Sequence, residues 1–239
     1  MNELRRILRK QLLRIDSGLR AGTKPELEVV YQNIFDRDLA AIAIPNIFYP
    51  LNAAANYSLL YLVLRSAREF EIRSVVELGA GQTTVLLNCL RKHGILKGEA
   101  LTIEHDAAWS ERIKRDVDHP VATVPLVERQ DGPYRYKGYD FSAVKMPQCI
   151  DLLLIDGPVA YDEKRMYSRH GALALLDRLN PNGFIIIVDD AERDGEAALA
   201  ERIREYFLIK NIEFAAGLSN AAKRQILFAT GTMTAAAFF

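Results

Sequence analysis

Carboxylates that follow apolar runs are the residues of this sequence best placed to do chemistry. Asp156 ends "DLLLID", and the pair Asp189 and Asp190 ends "FIIIVDD". Glu77 and Glu104 stand in similar positions, in "SVVEL" and "ALTIE". Carboxylates held close together repel one another unless a cation or a metal ion shares the space, and a carboxylate can also accept a proton from a reacting group. The pattern therefore indicates a site for a positively charged ligand, a metal ion or a proton transfer.

These acids need a rigid sheet to hold them in one place, and the sequence has the pattern of one. Apolar runs that predict strands cover residues 74–78, 100–103, 123–127, 150–155, 184–188, 213–216 and 225–229. Segments that predict helices cover about 82–93, 106–117, 163–179 and 193–208. This alternation predicts a doubly wound, Rossmann-like α/β fold with seven mostly parallel strands and a closing antiparallel hairpin. Ligands bind outside the carboxyl ends of such strands, so the five acids are expected at one edge of the sheet.

The first part of the chain is predicted to be a helical extension, over residues 1–53, ahead of an α/β domain over 54–239. Apolar residues recur at helical spacing over 1–16, 26–41 and 56–70. The first of these helices carries basic residues on its other face. It could dock on its own domain or on a second copy in a homo-oligomer, rest on an anionic membrane, or simply face solvent.

Composition limits the expected partners and compartment. The chain of 239 residues has 31 Lys and Arg against 31 Asp and Glu, so no nucleic-acid partner is expected. There is no apolar run of about 18 residues, and the charged N-terminus lacks the apolar core of a secretory signal, so a cytoplasmic protein is expected. Cys89 and Cys149 lie in apolar surroundings without metal-ligand spacing, which predicts reduced core residues.

The stretch "VVELGAGQTT" predicts a nucleotide-type cofactor loop. Gly79 and Gly81 allow a tight turn and close ligand approach, and Thr83 lies in the first turn of a helix whose free N–H groups suit an anion. Glu104, at the end of the next strand, can accept hydrogen bonds from both hydroxyls of a ribose. The missing third Gly disfavours a nicotinamide dehydrogenase. Glu77 suits a cationic ligand such as S-adenosylmethionine, whose ammonium it would face while the helix start faces the carboxylate.

Together, "VVELGAGQTT", "LTIEHD", "LLIDGP" and the closing hairpin resemble the class I S-adenosylmethionine-dependent methyltransferases, over about residues 55–230. The stretch "YSRHGALALLDRLNPNGFIIIVDD" is similar to the macrocin-type O-methyltransferases, which act on sugar hydroxyls. In that family three acids hold magnesium, and the resemblance implies this role for Asp156, Asp189 and Asp190. It also implies a cofactor-binding set that includes His105 and, as the nearest match to an adenine-contacting acid after the third strand, Asp131.

The acceptor chemistry leaves several hypotheses open. Magnesium prefers oxygen ligands and stabilises negative charge on an attacking hydroxyl, and Asp156 could be its ligand, the general base or both. Without a metal, Asp156 could act as the base with a neighbour such as His105 or His170. The sequence thus fits a metal-assisted O-methyltransferase acting on a glycan or polar small molecule, a metal-independent one, or a non-catalytic binding subunit on the same fold. Asp189 and Asp190 also have a simpler explanation, as caps of the helix that follows them.

Overall fold

The structure is a computed structural model that describes residues 22–50 and 54–239. The α-helices in these ranges are α1 Glu28–Ala41, α2 Tyr57–Glu69, α3 Gln82–Lys92, α4 Ala107–Ile113 and α5 Asp194–Ile209. The strands are β1 Ser74–Leu78, β2 Glu99–Glu104, β3 Val121–Thr123, β4 Leu126–Asp131, β5 Tyr134–Tyr139, β6 Leu152–Ile155, β7 Ile185–Val188, β8 Ala215–Asn220 and β9 Arg224–Ala229. Short 3₁₀ segments cover Pro25–Leu27, Phe141–Ala143, Ser168–Arg178 and Gly231–Phe238.

Seven strands form one sheet in the order β3-β2-β1-β6-β7-β9-β8. Neighbouring strands from β3 to β7 run parallel, and β9 runs antiparallel between β7 and β8. This arrangement confirms the predicted doubly wound, Rossmann-like α/β fold with a closing antiparallel hairpin. The chain winds outward from β1 to β3 and then returns to β6 on the other side of β1. Ligands bind at such a reversal of strand order, in the crevice at the carboxyl ends of the strands.

The central strands are buried at every position because both faces of the sheet are covered. Val75 and Leu154 pack on one face with α2 and α3, and Val76 and Leu153 pack on the other with α5. The continuous apolar runs of the sequence therefore predict these strands correctly. Their burial holds the acids that follow them on a rigid frame.

The part of the predicted extension that the structure describes packs on the α/β domain. Helix α1 matches the prediction for 26–41, and its Phe35 and Leu39 belong to the same buried cluster as Leu60 of α2 and Val75 of β1. Helix α2 begins as predicted, with the Asn56 side chain accepting a hydrogen bond from the Leu59 N–H. The helix predicted over 1–16 lies outside the described residues. Within the described ranges, no helix is both long enough and apolar enough to cross a membrane.

The prediction of one strand over 123–127 is wrong. Residues Val121–Thr123 join the sheet as β3, whereas Leu126–Asp131 pairs with β5 in a separate two-stranded hairpin. Pro125 lies between the two strands, has no N–H to donate to a ladder, and accepts a hydrogen bond from Asp140 N at 2.9 Å. A hairpin is therefore inserted between the third and fourth strands of the sheet.

Other boundaries also differ from the predictions. The helix predicted over 163–179 is a 3₁₀ segment, Ser168–Arg178. It packs closely on β5, since a Cβ added to Gly171 would lie 3.4 Å from Gly138 Cα. The helix predicted over 106–117 ends at Ile113, and the closing hairpin turns at 221–223. Cys149 is exposed, so its assignment to the core is wrong.

Candidate active site

The five acids lie at the carboxyl ends of four neighbouring strands, as predicted. Glu104 ends β2, Glu77 lies near the end of β1, Asp156 follows β6, and Asp189 and Asp190 follow β7. They form two groups, one around the loop after β1 and one between β6 and β7. The first group could hold a cofactor, and the second could do proton chemistry.

The loop after β1 owes its path to Gly79. Its φ of +95° suits glycine, and a Cβ there would lie 2.8 Å from the backbone nitrogen of Gly157. A Cβ on Gly81 would meet open space, and the Gly81 N–H donates to Thr84 Oγ1 at 2.8 Å. The N-terminus of α3 is therefore left open to a ligand, while the loop beside it packs on the loop that carries Asp156.

Glu77 lies at the predicted edge of the sheet, but its side chain does not face a ligand as predicted. Its side chain is fully buried and accepts hydrogen bonds from Thr84 Oγ1 at 2.7 Å, from Thr102 Oγ1 at 2.6 Å and from the Thr83 hydroxyl. Burial raises the pKa of Glu77 to about 7, against the lowering effect of these hydroxyls. The carboxyl group does not reach a ligand cleft to meet an ammonium group. It ties β1 and β2 to the start of α3, and Thr83 is part of the same buried network.

Glu104 is better placed than Glu77 to accept hydrogen bonds from a ligand. Oε1 accepts the N–H groups of His105 and Asp106 at 2.7 and 2.8 Å and lies 2.8 Å from His105 Nδ1, and Oε2 accepts the Ala80 N–H at 3.0 Å. Burial opposes ionisation, but these hydrogen bonds outweigh it and hold the pKa of Glu104 below its usual value. The side chain is thus an ionised acceptor fixed against the β1 loop, and Oε2 keeps capacity for a second donor.

Trp109 belongs to this group although the sequence analysis did not select it. Helix α4 is capped by Asp106, which accepts from the Trp109 N–H at 2.9 Å, and the indole Nε1–H donates to Ala80 O at 2.7 Å. The ring is 40% exposed beside the β1 loop. The single Trp of the chain, five residues after Glu104, was the available signal. An exposed indole offers a flat apolar face to an aromatic ring.

The structure does not bring Asp131 into this group. It ends β4 in the inserted hairpin, so the expectation that it follows the third strand of the sheet is wrong. Its carboxylate pairs with Arg202 of α5 at 2.7 and 2.8 Å. His170, a candidate partner of the base, is buried 3.7 Å from Asp131, and its Nε2 lies 3.2 Å from Gly195 O. Both residues hold the hairpin to the domain.

The second group brings together the three acids that the resemblance assigned to magnesium. One carboxylate oxygen each from Asp156, Asp189 and Asp190 lie within 4.8 Å of one another. Asp190 has a φ of +57°, a left-handed conformation that costs a residue with a side chain about 1 kcal/mol or more. Neither member of the pair caps α5 with its side chain, since Arg193 is the N-cap residue without a side-chain cap bond. The cap explanation is therefore wrong.

Basic side chains already bind these carboxylates. Lys223 Nζ lies 3.0 Å from Asp189 Oδ2 and 3.2 Å from Asp190 Oδ1. Arg169 Nη2 lies 2.9 Å from Asp190 Oδ2 and 3.2 Å from Asp156 Oδ1. Lys223 and Arg169 are both largely buried. The sequence suggested that Arg169 could face a substrate or coat a helix and suggested no role for Lys223. Their pairing with these acids depends on the fold, which brings a hairpin turn and a 3₁₀ segment to the strand ends.

The charge balance of this group leaves little place for a divalent ion. The buried Glu196 lies 3.3 Å from Arg169 Nε, and Arg193 Nη1 lies 2.9 Å from Asp190 Oδ2. Four acids thus face three basic groups. Burial raises the pKa of Glu196 to about 7, which further reduces the negative charge of the group near neutral pH. Mg²⁺ would have to displace Lys223 or Arg169, and the residues therefore fit their own cations rather than a metal ion.

Asp156 differs from the other acids because it is accessible. Its side chain is 20% exposed, and Oδ1 accepts from Arg169 while Oδ2 accepts no hydrogen bond from the described residues. Burial of the surroundings and the nearby Asp189 raise the pKa of Asp156 well above its usual value. Asp156 thus combines a free oxygen with an increased affinity for a proton. Tyr139, fully buried against Gly157, lies beside it with no partner for its hydroxyl among the described residues.

Comparison with known proteins gives the chain no family, since no protein-family model and no curated protein matches it. Among solved structures, a Podospora anserina methyltransferase bound to S-adenosylhomocysteine is 14% identical, covering 95% of this chain and 96% of that one with a TM-score of 0.49. An O-methyltransferase from Bacillus cereus in complex with S-adenosylhomocysteine is 15% identical, covering 84% and 90% with a TM-score of 0.48.

The METTL16 methyltransferase domain is 14% identical, with a TM-score of 0.42. The match covers 74% of this chain and 66% of that one. At these identities and TM-scores, the likeness to solved structures carries no argument on activity.

Proposed function

We propose that this protein is an S-adenosylmethionine-dependent O-methyltransferase that acts on a hydroxyl of a sugar or another polar small molecule. The observation that carries the proposal is the contact between two loops. The loop with Gly79, which would hold the cofactor, packs backbone against backbone on the loop with Gly157, next to Asp156. A methyl donor and a base held by touching loops suit an in-line transfer, which depends on placing the reacting atoms.

The cofactor would lie across the carboxyl ends of β1 and β2. Glu104 offers an ionised acceptor to the ribose hydroxyls, and the open N-terminus of α3 beside Gly81 offers N–H groups to the carboxylate of the amino-acid part. Trp109 offers its exposed face to the adenine ring. The fully buried Glu77 would act indirectly, by fixing the loop through its threonine partners.

Asp156 would act as the general base. When bound, S-adenosylmethionine supplies a methyl group on a positively charged sulfur. Asp156 Oδ2 accepts the proton of the acceptor hydroxyl as the C–O bond forms and the C–S bond breaks. Burial and the nearby Asp189 raise the pKa of Asp156, so its carboxylate is a stronger base than an ordinary aspartate. Arg169, bound to Oδ1, holds the carboxylate in place.

Magnesium assistance is a separate part of the expected function. The proximity of Asp156, Asp189 and Asp190 favours it. The ion pairs of Lys223 and Arg169 with the same oxygens oppose it. We therefore favour the metal-independent reaction, with Asp156 as the base.

The first test is titration calorimetry with S-adenosylhomocysteine, the expected product. We expect a Kd in the micromolar range, and an absence of heat at millimolar ligand would contradict the proposal. The acceptor class can then be sought by incubating the protein and S-adenosylmethionine with panels of sugars, glycosides and phenols. A mass increase of one methyl group on a polar hydroxyl compound supports the O-methyltransferase, and methylation confined to amines or nucleic acid would contradict it.

A further inference from the structure

Lys223 lies in the turn of the closing hairpin, yet its ammonium group is inside the site. Its side chain is 14% exposed, and Nζ lies 3.0 Å from Asp189 Oδ2, 3.2 Å from Asp190 Oδ1 and 3.4 Å from Ala54 O. Lysine is rarely buried unless its charge is paired. The side chain is therefore part of the acidic group at the end of β7 and not of the protein surface.

Hydrogen bonds between the closing hairpin and the segment that follows β7 fix the position of Lys223. Ala191 N donates to Arg224 O at 2.8 Å, and Arg224 N donates to Glu192 Oε2 at 2.9 Å, just beyond the end of β7. Gln225 Nε2 donates to Asp189 Oδ1 at 2.7 Å. These bonds hold the start of β9 against the acidic pair, so the ammonium group is placed by backbone as well as by charge.

Each carboxylate oxygen of the acidic pair lies within 3.2 Å of a donor group of the protein, although Asp190 Oδ1 meets Lys223 as an ion pair without a hydrogen bond. Asp189 is held by Gln225 and Lys223, and Asp190 by Lys223 and by Arg169, whose Nη2 lies 2.9 Å from Oδ2. Mg²⁺ binds oxygen at about 2.1 Å in near-octahedral geometry, and it cannot share these oxygens with an adjacent ammonium group without strong repulsion. The place where the resemblance implies a divalent ion is filled by the chain itself.

We infer that Lys223 takes the place of a divalent cation, so that the acidic group at the ends of β6 and β7 works with a built-in ammonium group and no metal. Lys223 is then a positioning residue: it holds Asp189 and Asp190 together beside Asp156 and offsets part of their negative charge. The part of this inference that concerns methyl transfer rests on the proposed function. The part that concerns cation binding does not.

The test is to remove the ammonium group and ask whether a metal ion can replace it. K223M removes the charge and keeps an unbranched side chain that is one atom shorter, whereas K223R keeps the charge. K210M is a matched control, because Lys210 is an exposed lysine that pairs with Asp177 away from the site. Binding of Mn²⁺ and Mg²⁺ is measured by titration calorimetry and by the shift of Tm, neither of which needs catalytic activity.

We expect K223M to bind Mn²⁺ about tenfold or more tightly than the wild type and to gain thermal stability when the ion is added. Wild type, K223R and K210M should show neither effect. A wild type that binds Mn²⁺ with micromolar affinity, or a folded K223M that binds it no better than K223R, would overturn the inference. If K223M fails to fold, the wild-type titration still decides, because metal binding there contradicts a site filled by Lys223.

Activity gives an independent comparison. Wild-type methyl transfer should be unchanged in chelator, and K223M should lose rate and regain it when Mg²⁺ is added. Loss of wild-type activity in chelator would contradict the inference while leaving the methyltransferase proposal intact. Absence of S-adenosylhomocysteine binding, combined with the expected metal titrations, would instead contradict the proposed function and leave the role of Lys223 standing.

Discussion

Gly79 and Gly157 pack against each other through their backbones. A Cβ on Gly79 would lie 2.8 Å from Gly157 N, and a Cβ on Gly157 would lie 2.5 Å from Gly79 Cα. The two residues belong to the loops after β1 and β6, the neighbouring parallel strands between which the strand order reverses. The contact joins the proposed cofactor loop to the loop of the proposed base.

The contact predicts that the two glycines of the β1 loop respond differently to substitution. Gly79→Ala adds a methyl group against backbone and requires a left-handed φ from alanine, so we expect a loss of about 1–3 kcal/mol in the free energy of unfolding. Gly81→Ala is the matched control, since its Cβ meets open space and its φ is extended. Urea unfolding measures both variants. Equal stability of the two would show that the loop contact is not close.

Glu104→Gln tests the proposed ribose acceptor. A hydrogen bond to a charged group contributes about 1.5–3 kcal/mol, so we expect S-adenosylhomocysteine to bind roughly 10 to 100 times more weakly. Calorimetric titration gives the ratio, and Glu111→Gln, an exposed acid paired with Lys114, is the control that should bind as the wild type does. Unchanged affinity in a folded Glu104→Gln protein would remove this residue from the cofactor site.

Asp156→Asn tests the general base. Loss of a positioned base lowers kcat by about 10² to 10⁴, while S-adenosylhomocysteine affinity should stay within about threefold because Asp156 is not a proposed cofactor contact. Initial rates at saturating S-adenosylmethionine measure the effect, with Asp162→Asn as a control that removes a partly exposed acid paired with Arg165. Full activity of Asp156→Asn would leave the reaction without its proposed base.

The raised pKa of Glu77 makes the stability of the folded protein depend on pH. Burial raises its pKa from 4.5 to about 7, so the folded protein binds the proton more tightly than the unfolded chain. Its stabilising contribution is therefore complete below pH 4.5 and is lost as pH rises through about 7, with an upper limit of about 3 kcal/mol. Glu196 contributes in the same direction over the same window.

We therefore expect the free energy of unfolding of Glu77→Gln to fall less than that of the wild type between about pH 5 and about pH 8. Urea unfolding across this range measures the difference, and Glu111→Gln should follow the wild type. Parallel curves for Glu77→Gln and the wild type would show that Glu77 ionises in the folded protein as it does in water.

The sheet and the convergence of the acids were predictable because both depend on local pattern. Apolar runs such as Ile185–Val188 are buried on both faces, and parallel strands place the acids that follow them at one edge. The partners of those acids were not predictable. Lys223 meets Asp189 across 34 positions of sequence, and only the return of the hairpin beside β7 brings them together.

The surroundings of the Glu77 and Asp131 side chains could not be predicted from the sequence either. Glu77 has the position in its motif that a ligand-facing acid would have, but three threonine hydroxyls, from α3 and β2, enclose it. Asp131 has a suitable position along the chain, but Pro125 diverts the chain into a hairpin and carries Asp131 to Arg202. In both cases tertiary packing, and not residue type, decides the role.

The most direct test of the central claim is a crystal structure of the protein with S-adenosylhomocysteine and Mg²⁺. We expect the ribose hydroxyls at Glu104, the amino-acid carboxylate at the N-terminus of α3 and the sulfur on the side of Asp156. We also expect Lys223 rather than magnesium between Asp189 and Asp190. A ligand bound away from this edge of the sheet, or none bound at millimolar concentration, would contradict the claim.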